Sequence, residues 1–186
     1  MGGIWAFIES ASGAISMSNI ALAQAAKSLA GQSESESACV YFAKEPESAL
    51  FQLRDLGPTR IIWARDARLD IFRPAAFART LAAVARERQP DVILFASTLF
   101  SKEVAARTAQ ALGTGLIADV ASWKVEIGKT IFGKVNFGGK FAVSVETTKS
   151  PTMVIFTGSL ANLPPPPPQT ALADSIEVKV PEVDLW

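Results

Sequence analysis

From residue 4 to residue 119 short apolar runs alternate with segments of helical period, and this alternation restricts the possible folds more than any other feature of the chain. The runs Ile4 to Ile8, Ala38 to Phe42, Arg60 to Ala64, Val92 to Ala96 and Leu116 to Asp119 read as strands. Between them, Ser18 to Leu29 reads as a helix closed by Gly31. The segment Pro46 to Leu56 sets Ala49, Leu50, Leu53 and Leu56 on one helical face, with Pro46 at its start and Gly57 just past its end. Pro74 to Arg88 repeats the pattern with Phe77, Leu81, Val84 and Ala85, and Ser101 to Leu112 is a further helix stopped at Gly113. Val92-Ile93-Leu94-Phe95-Ala96 has no polar alternation, as expected of a central parallel strand buried on both faces. Right-handed βαβ crossovers then place helices on both faces of the sheet, giving a three-layer, mostly parallel α/β domain.

The period changes at Ala121. Beyond it the chain reads as extended segments only: Trp123 to Ile127, a Gly128-Lys129 turn, Thr130 to Val135, Phe141 to Glu146 and Thr152 to Phe156. An antiparallel extension at one edge of the parallel sheet is the expectation for this C-terminal third. Five consecutive prolines, Pro164 to Pro168, exclude helix and central strand and suit a polyproline rod rising about 3 Å per residue. The domain is therefore expected to span residues 1–163, with 164–168 as linker and 169–186 as a tail leading to another domain. The tail alternates in Ile176, Val178, Val180 and Val183 and carries Trp186, so a strand returning to the same sheet is the other possibility.

Composition narrows function by exclusion. The chain of 186 residues is 49% hydrophobic and 19% charged, a balance that supports a packed core. Basic and acidic residues both number 18, leaving no net field toward nucleic acid or an anionic membrane. There is no histidine and one cysteine, which removes the commonest general base, the commonest metal ligand, Cys/His zinc sites and the usual hydrolase mechanisms. Cys39 lies in the apolar run Ala38 to Phe42, reads as a small core hydrophobe, and fits a reducing compartment. No basic leader precedes Ile4 and no segment has the length of a membrane span, so a cytoplasmic location is expected.

The turn Ser97-Thr98-Leu99-Phe100-Ser101-Lys102-Glu103 falls between the central strand and the next helix, where open α/β sheets gather ligands. Ser97, Thr98, Ser101 and Lys102 are the candidate anion- or nucleotide-binding residues. The competing reading is a helix cap, with Ser101 at the cap and Glu103 near it. Leu99 and Phe100 stand where a dinucleotide-binding turn has small residues. Phe137-Gly138-Gly139-Lys140 reads as a turn or bulge between strands, and Asp66, Asp70 and Asp119 as solvated or capping carboxylates without a catalytic partner. Trp5, Trp63 and Trp123 read as core or interface anchors. No catalytic centre is evident, and the chain is expected not to be an enzyme.

The run Pro90 to Thr98, followed by Ser101-Lys102-Glu103-Val104-Ala105-Ala106-Arg107 and by Leu112-Gly113-Thr114-Gly115-Leu116-Ile117-Ala118-Asp119-Val120, resembles the N-terminal domain of the electron-transfer flavoprotein alpha subunit. The opening, Ile4 to Glu9 with Gly13, and the close, Phe132 to Gly139 with Pro151 to Phe156, are similar as well. Departures are Ser101-Lys102 for glycine and a basic residue, Lys134-Val135 for Arg-Pro, and Thr157 for an arginine. The resemblance implies an adenine-nucleotide alpha-hydrolase-like fold, a beta-type subunit as partner, and FAD held by a second alpha-subunit domain that nothing after Pro168 resembles. By that resemblance this chain holds no cofactor and serves as a non-catalytic scaffold in an electron-transfer complex. The alternative it leaves is an AMP- or ATP-binding regulatory domain of the same fold, since the related beta subunit holds AMP.

Overall fold

A computed structural model describes residues 2–9, 14–69, 73–126, 129–158 and 173–182. The elements run β1 (Ile4–Ile8), α1 (Met17–Gln32), β2 (Ser37–Ala43), α2 (Glu47–Asp55), β3 (Arg60–Arg65), a 3-10 turn (Ala67–Leu69), α3 (Pro74–Arg88), β4 (Val92–Ala96), α4 (Leu99–Leu112), β5 (Leu116–Glu126), β6 (Lys129–Asn136), β7 (Phe141–Val145), β8 (Thr152–Phe156) and β9 (Asp174–Glu177). They form one nine-stranded sheet in the order β7-β6-β5-β8-β4-β1-β2-β3-β9. Every pairing is parallel except β5 with β6 and β6 with β7, so the expected mostly parallel sheet with an antiparallel extension is present.

Alternate residues of the central strands feed two cores. Ile4, Ala6 and Ile8 pack with Leu22, Ala26 and Leu29 of α1 and Ala49 and Leu53 of α2. Trp5 and Phe7 pack on the opposite face with Phe77 and Leu81 of α3 and Phe100 and Val104 of α4. Period-2 side-chain alternation on a sheet covered on both faces makes each strand continuously apolar. Cys39 lies in the first core, where burial pushes its thiol up to about 12. The folded protein should therefore resist thiol-directed alkylation at pH 8 and react stoichiometrically once denatured, a contrast readable by mass spectrometry.

Several boundaries differ from the sequence reading. Helix α1 runs through Gly31 to Gln32 and ends where Ser33 Oγ and N–H both donate to Leu29 O, at 2.8 and 3.0 Å, with Glu34 taking the positive φ of 51°. A hydroxyl cap replaces the glycine stop. The expected separate strands Leu116 to Asp119 and Trp123 to Ile127 are one strand, β5, bent by a register shift at which exposed Asp119 takes φ 58°. Its first half pairs parallel with β8 and its second half antiparallel with β6, so the bulge joins the two parts of the sheet. Glu126 pairs with Lys129, which puts Lys129 in β6 and not in the preceding turn.

Two strands sit elsewhere than expected. Thr152–Phe156, expected in the antiparallel extension, is β8, which lies parallel between β4 and β5 and is buried at all five positions. Its unbroken apolar run is that of a central strand. In the tail, Asp174–Glu177 pairs parallel with β3, so residues 173–182 follow the returning-strand alternative and belong to the same sheet. The prolines 164–168, Asp70 and Trp186 lie outside the described residues.

Candidate functional site

Strand order reverses between β1 and β4, because β2 and β3 extend the sheet to one side of β1 and β4 to the other. The carboxyl ends of these two strands carry Glu9 and the turn Ser97-Thr98, and α1 and α4 start beside them. A reversal point of this kind opens a crevice at the strand ends. Here an open cleft of about 260 Å³ is lined by Ser18 and Leu22 of α1, Ser97 and Thr98 after β4, and Thr157 and Gly158 after β8. Ligand pockets typically run from about 300 to 1,000 Å³, so the cleft falls below the usual range. Gly158 is required where it stands, since a Cβ there would overlap Ala121 O and the Phe156 ring.

Thr98, not Ser101, is the N-cap of α4: its backbone is extended, and its Oγ1 accepts from Ser101 N at 3.1 Å. Ser101 lies one turn inside the helix and is fully buried. Both hydroxyls donate to one carboxylate oxygen of Glu9, Thr98 Oγ1 at 2.9 Å and Ser101 Oγ at 3.1 Å. Glu9 is itself fixed by buried Asn19, whose Nδ2 donates to Glu9 O at 2.8 Å and whose Oδ1 accepts from Glu9 N at 3.3 Å. The positive end of α4 thus faces a carboxylate supplied by the chain itself, and the hydroxyls of Thr98 and Ser101 are engaged.

Of the sequence candidates, the structure brings Thr98 and Ser101 together on Glu9, while Ser97 and Lys102 are exposed at either side. Glu103 pairs with Arg107 one turn on, at 2.8 Å, instead of capping the helix. Leu99 is 90% exposed and Phe100 turns into the core. Sequence reasoning missed Glu9 and Asn19. Asn-Ile-Ala after a serine at a helix start was the one available signal, for an amide buried in a first turn needs a local partner. Replacing Glu9 by alanine leaves the buried Ser101 hydroxyl without its acceptor and should cost about 1–3 kcal/mol in denaturant unfolding.

Other polar groups are structural. Asp66 caps the 3-10 turn by accepting from Arg68 N at 2.8 Å and binds the Arg68 guanidinium, which holds its carboxyl below the usual range. Among the described residues no cluster of three or more His, Cys, Asp or Glu side chains could hold a metal, and no helix is long and apolar enough to cross a membrane.

The second exposed feature is the arm formed by the far half of β5 with β6 and β7. Trp123, Phe132 and Val145 share one face through direct cross-strand pairing, and Phe132 is buried with Trp123 and Val145 packed against the first core. The same row continues outward through Val143, 39% exposed, to Phe141, 61% exposed. At the tip the turn 137–140 takes φ 53° at Phe137 and 65° at Gly138, and the Phe137 ring, 78% exposed, packs edge-on against Phe141 at 5.7 Å. An apolar row therefore runs beyond its own cover along the outer strand β7, beside Lys134 and Asn136 of β6, with four of the five β7 residues exposed.

The doubly wound parallel sheet, its antiparallel arm and the carboxylate-filled terminus of α4 define a mixed α/β domain, a fold that by itself does not fix an activity. The chain belongs to the electron-transfer flavoprotein family: the family model described as "Electron transfer flavoprotein domain" matches residues 4–184. Its relatives include the electron transfer flavoprotein subunit alpha of Syntrophomonas wolfei, 28% identical over 82% of this chain and 47% of that protein. The corresponding subunit of Bacillus subtilis is 25% identical over 74% of this chain and 42% of its own length. The acryloyl-CoA reductase electron transfer subunit beta of Anaerotignum propionicum is 27% identical over 69% and 35%. The chain spans about half the length, or less, of these curated relatives.

Proposed function

We propose that this chain is the scaffold domain of an electron-transfer flavoprotein alpha-type subunit, which docks a beta-type subunit through the β5–β7 arm and holds neither flavin nor nucleotide itself. The reading rests above all on the apolar row that leaves the core at Phe132 and ends in solvent at Phe141 and Phe137. A surface of that kind is stabilised by burial against a partner, and a formal net charge of zero leaves apolar contact as its main source of affinity. The family relationship, and relatives named as subunits of electron-transfer proteins, support an assembly of which this domain is one part.

The turn before α4 argues against the nucleotide-binding alternative. A phosphate or pyrophosphate would have to displace Glu9 from Thr98 and Ser101 or approach it against like charge, and Leu99 and Phe100 offer no glycine-lined backbone. These residues do not fit the pyrophosphate of FAD or the phosphate of AMP. The flavin then belongs to a further part of the assembly, and the domain works as scaffold and not as enzyme. The buried, unpaired Cys39 suits a reducing cytoplasm.

Co-expression with the beta-type subunit from the same source should yield a stable complex that survives gel filtration. The domain alone, incubated with excess FAD and desalted, should be colourless, and titration with AMP should give no heat of binding. Failure to associate where the whole alpha-type subunit does would overturn the docking reading. A dissociation constant for AMP in the low micromolar range, about −8 kcal/mol, would restore the nucleotide-binding one.

A further inference from the structure

The two outer strands of the sheet differ in how they meet solvent, and the difference assigns a role to residues 173–182. Strand β9 lies on the outer side of β3, with Asp174 N donating to Thr59 O at 3.1 Å and Val178 N to Trp63 O at 2.7 Å. Ile176, Val178 and Val180 pack on the second core. Trp63 Nε1 donates to Ser175 Oγ at 3.1 Å, and Arg68, braced by Asp66, donates through Nη1 to Pro181 O at 3.0 Å.

Beneath this segment the middle of β3 lacks the devices by which a sheet edge avoids pairing with another chain, its charges Arg60 and Arg65 standing only at the two ends. Its middle, Ile61-Ile62-Trp63-Ala64, carries no charge and no proline, and its pairing with β2 runs without a bulge. The segment itself carries them: β9 is four residues long, Asp174, Glu177 and Lys179 are exposed, and Pro181 follows. The edge protection of β3 has been moved onto a covering strand.

We propose that residues 173–182 are an edge guard acting in cis, which occupies a strand-accepting edge on β3 and so keeps a second copy of this chain from pairing there. Without the guard, two β3 edges meet antiparallel about a two-fold axis, because the same unpaired backbone row is presented by both copies. With β3 covered, the outer strands among the described residues are β7 and the short, charged β9, and β7 is the less guarded of the two, which directs strand-to-strand association to the arm.

The test uses the full chain. The double variant Ile176→Asp and Val178→Asp places two carboxylates against the second core and undocks the guard, and a synthetic peptide of residues 170–182 supplies an intact guard in trans. Light scattering at matched concentration should find the variant at twice the parent's mass or more. Excess wild-type peptide should return it to the parent's mass, and a peptide carrying Val178→Asp should not. If the variant precipitates, refolding it with the wild-type peptide should recover the parent's mass. The proposal is overturned if the variant keeps the parent's mass, with or without peptide uptake, or if peptide fails to reverse its association or rescue its refolding.

Discussion

Replacing Phe7 by alanine should remove about 3–5 kcal/mol of stability, a large share of the 5–15 kcal/mol available to a domain of this kind. Phe7 sits in the middle of β1, fully buried, with its ring centroid 6.1 Å from Phe42, 6.4 Å from Phe77, 5.5 Å from Phe95 and 6.3 Å from Phe100. These four rings come from β2, α3, β4 and α4, so one side chain joins two neighbouring strands to both helices of that face. Truncation forfeits the apolar transfer energy, opens a ring-sized cavity, and loses edge-to-face contacts with Phe42 and Phe77. The measurement is urea unfolding followed by tryptophan fluorescence, with Phe7→Leu as the volume-conserving control expected to lose less than half as much. A loss below about 1.5 kcal/mol for the alanine variant would mean that the cluster collapses around the vacancy.

The parallel half of the fold was legible in the sequence because each element there announces itself locally. Pro74 to Arg88 has proline at its first turn and a clean helical face, and Val92 to Ala96 has no polar break, so both were bounded correctly by pattern alone. Thr152–Phe156 carried the same unbroken signal, but its neighbours in the chain were alternating strands and drew it into the wrong part of the sheet. Its insertion between β4 and β5 is a long-range choice, made by two faces of core that no local window contains. The bulge at Asp119 was hidden for a related reason: a non-glycine residue at positive φ leaves no mark in composition.

The candidate site was legible in part. Thr98 and Ser101 stand out in the sequence as part of a possible anion- or nucleotide-binding turn, with a cap at Ser101 as the competing reading; in the structure they meet at that terminus with Thr98 as the cap. What fills it could not be read, since Glu9 reaches them across 89 and 92 residues of sequence. Locally, a glutamate after an apolar strand looks like any solvated charge. Only the topology, which sets the ends of β1 and β4 side by side, turns it into the counter-anion of α4.

At the arm, the double variant Phe137→Asp and Phe141→Asp should strongly weaken association with the beta-type subunit while leaving the domain folded. Both rings are mostly exposed, so their loss removes little core packing, and the shift in unfolding midpoint should be small. In a complex the same rings would be the buried aromatic anchors of the contact, and truncating one such anchor commonly costs about 2 kcal/mol or more of binding. A carboxylate adds the expense of burying an unpaired charge in an apolar interface. Two of them should weaken binding by at least about 100-fold, the effect residing chiefly in faster dissociation. Surface plasmon resonance with immobilised beta-type subunit separates the rates. Lys124→Ala serves as control, because its ammonium already meets Glu126 at 2.8 Å in solvent on β5. Wild-type affinity in the double variant would place the partner on another surface, and equal losses in the control would point to general destabilisation of the arm.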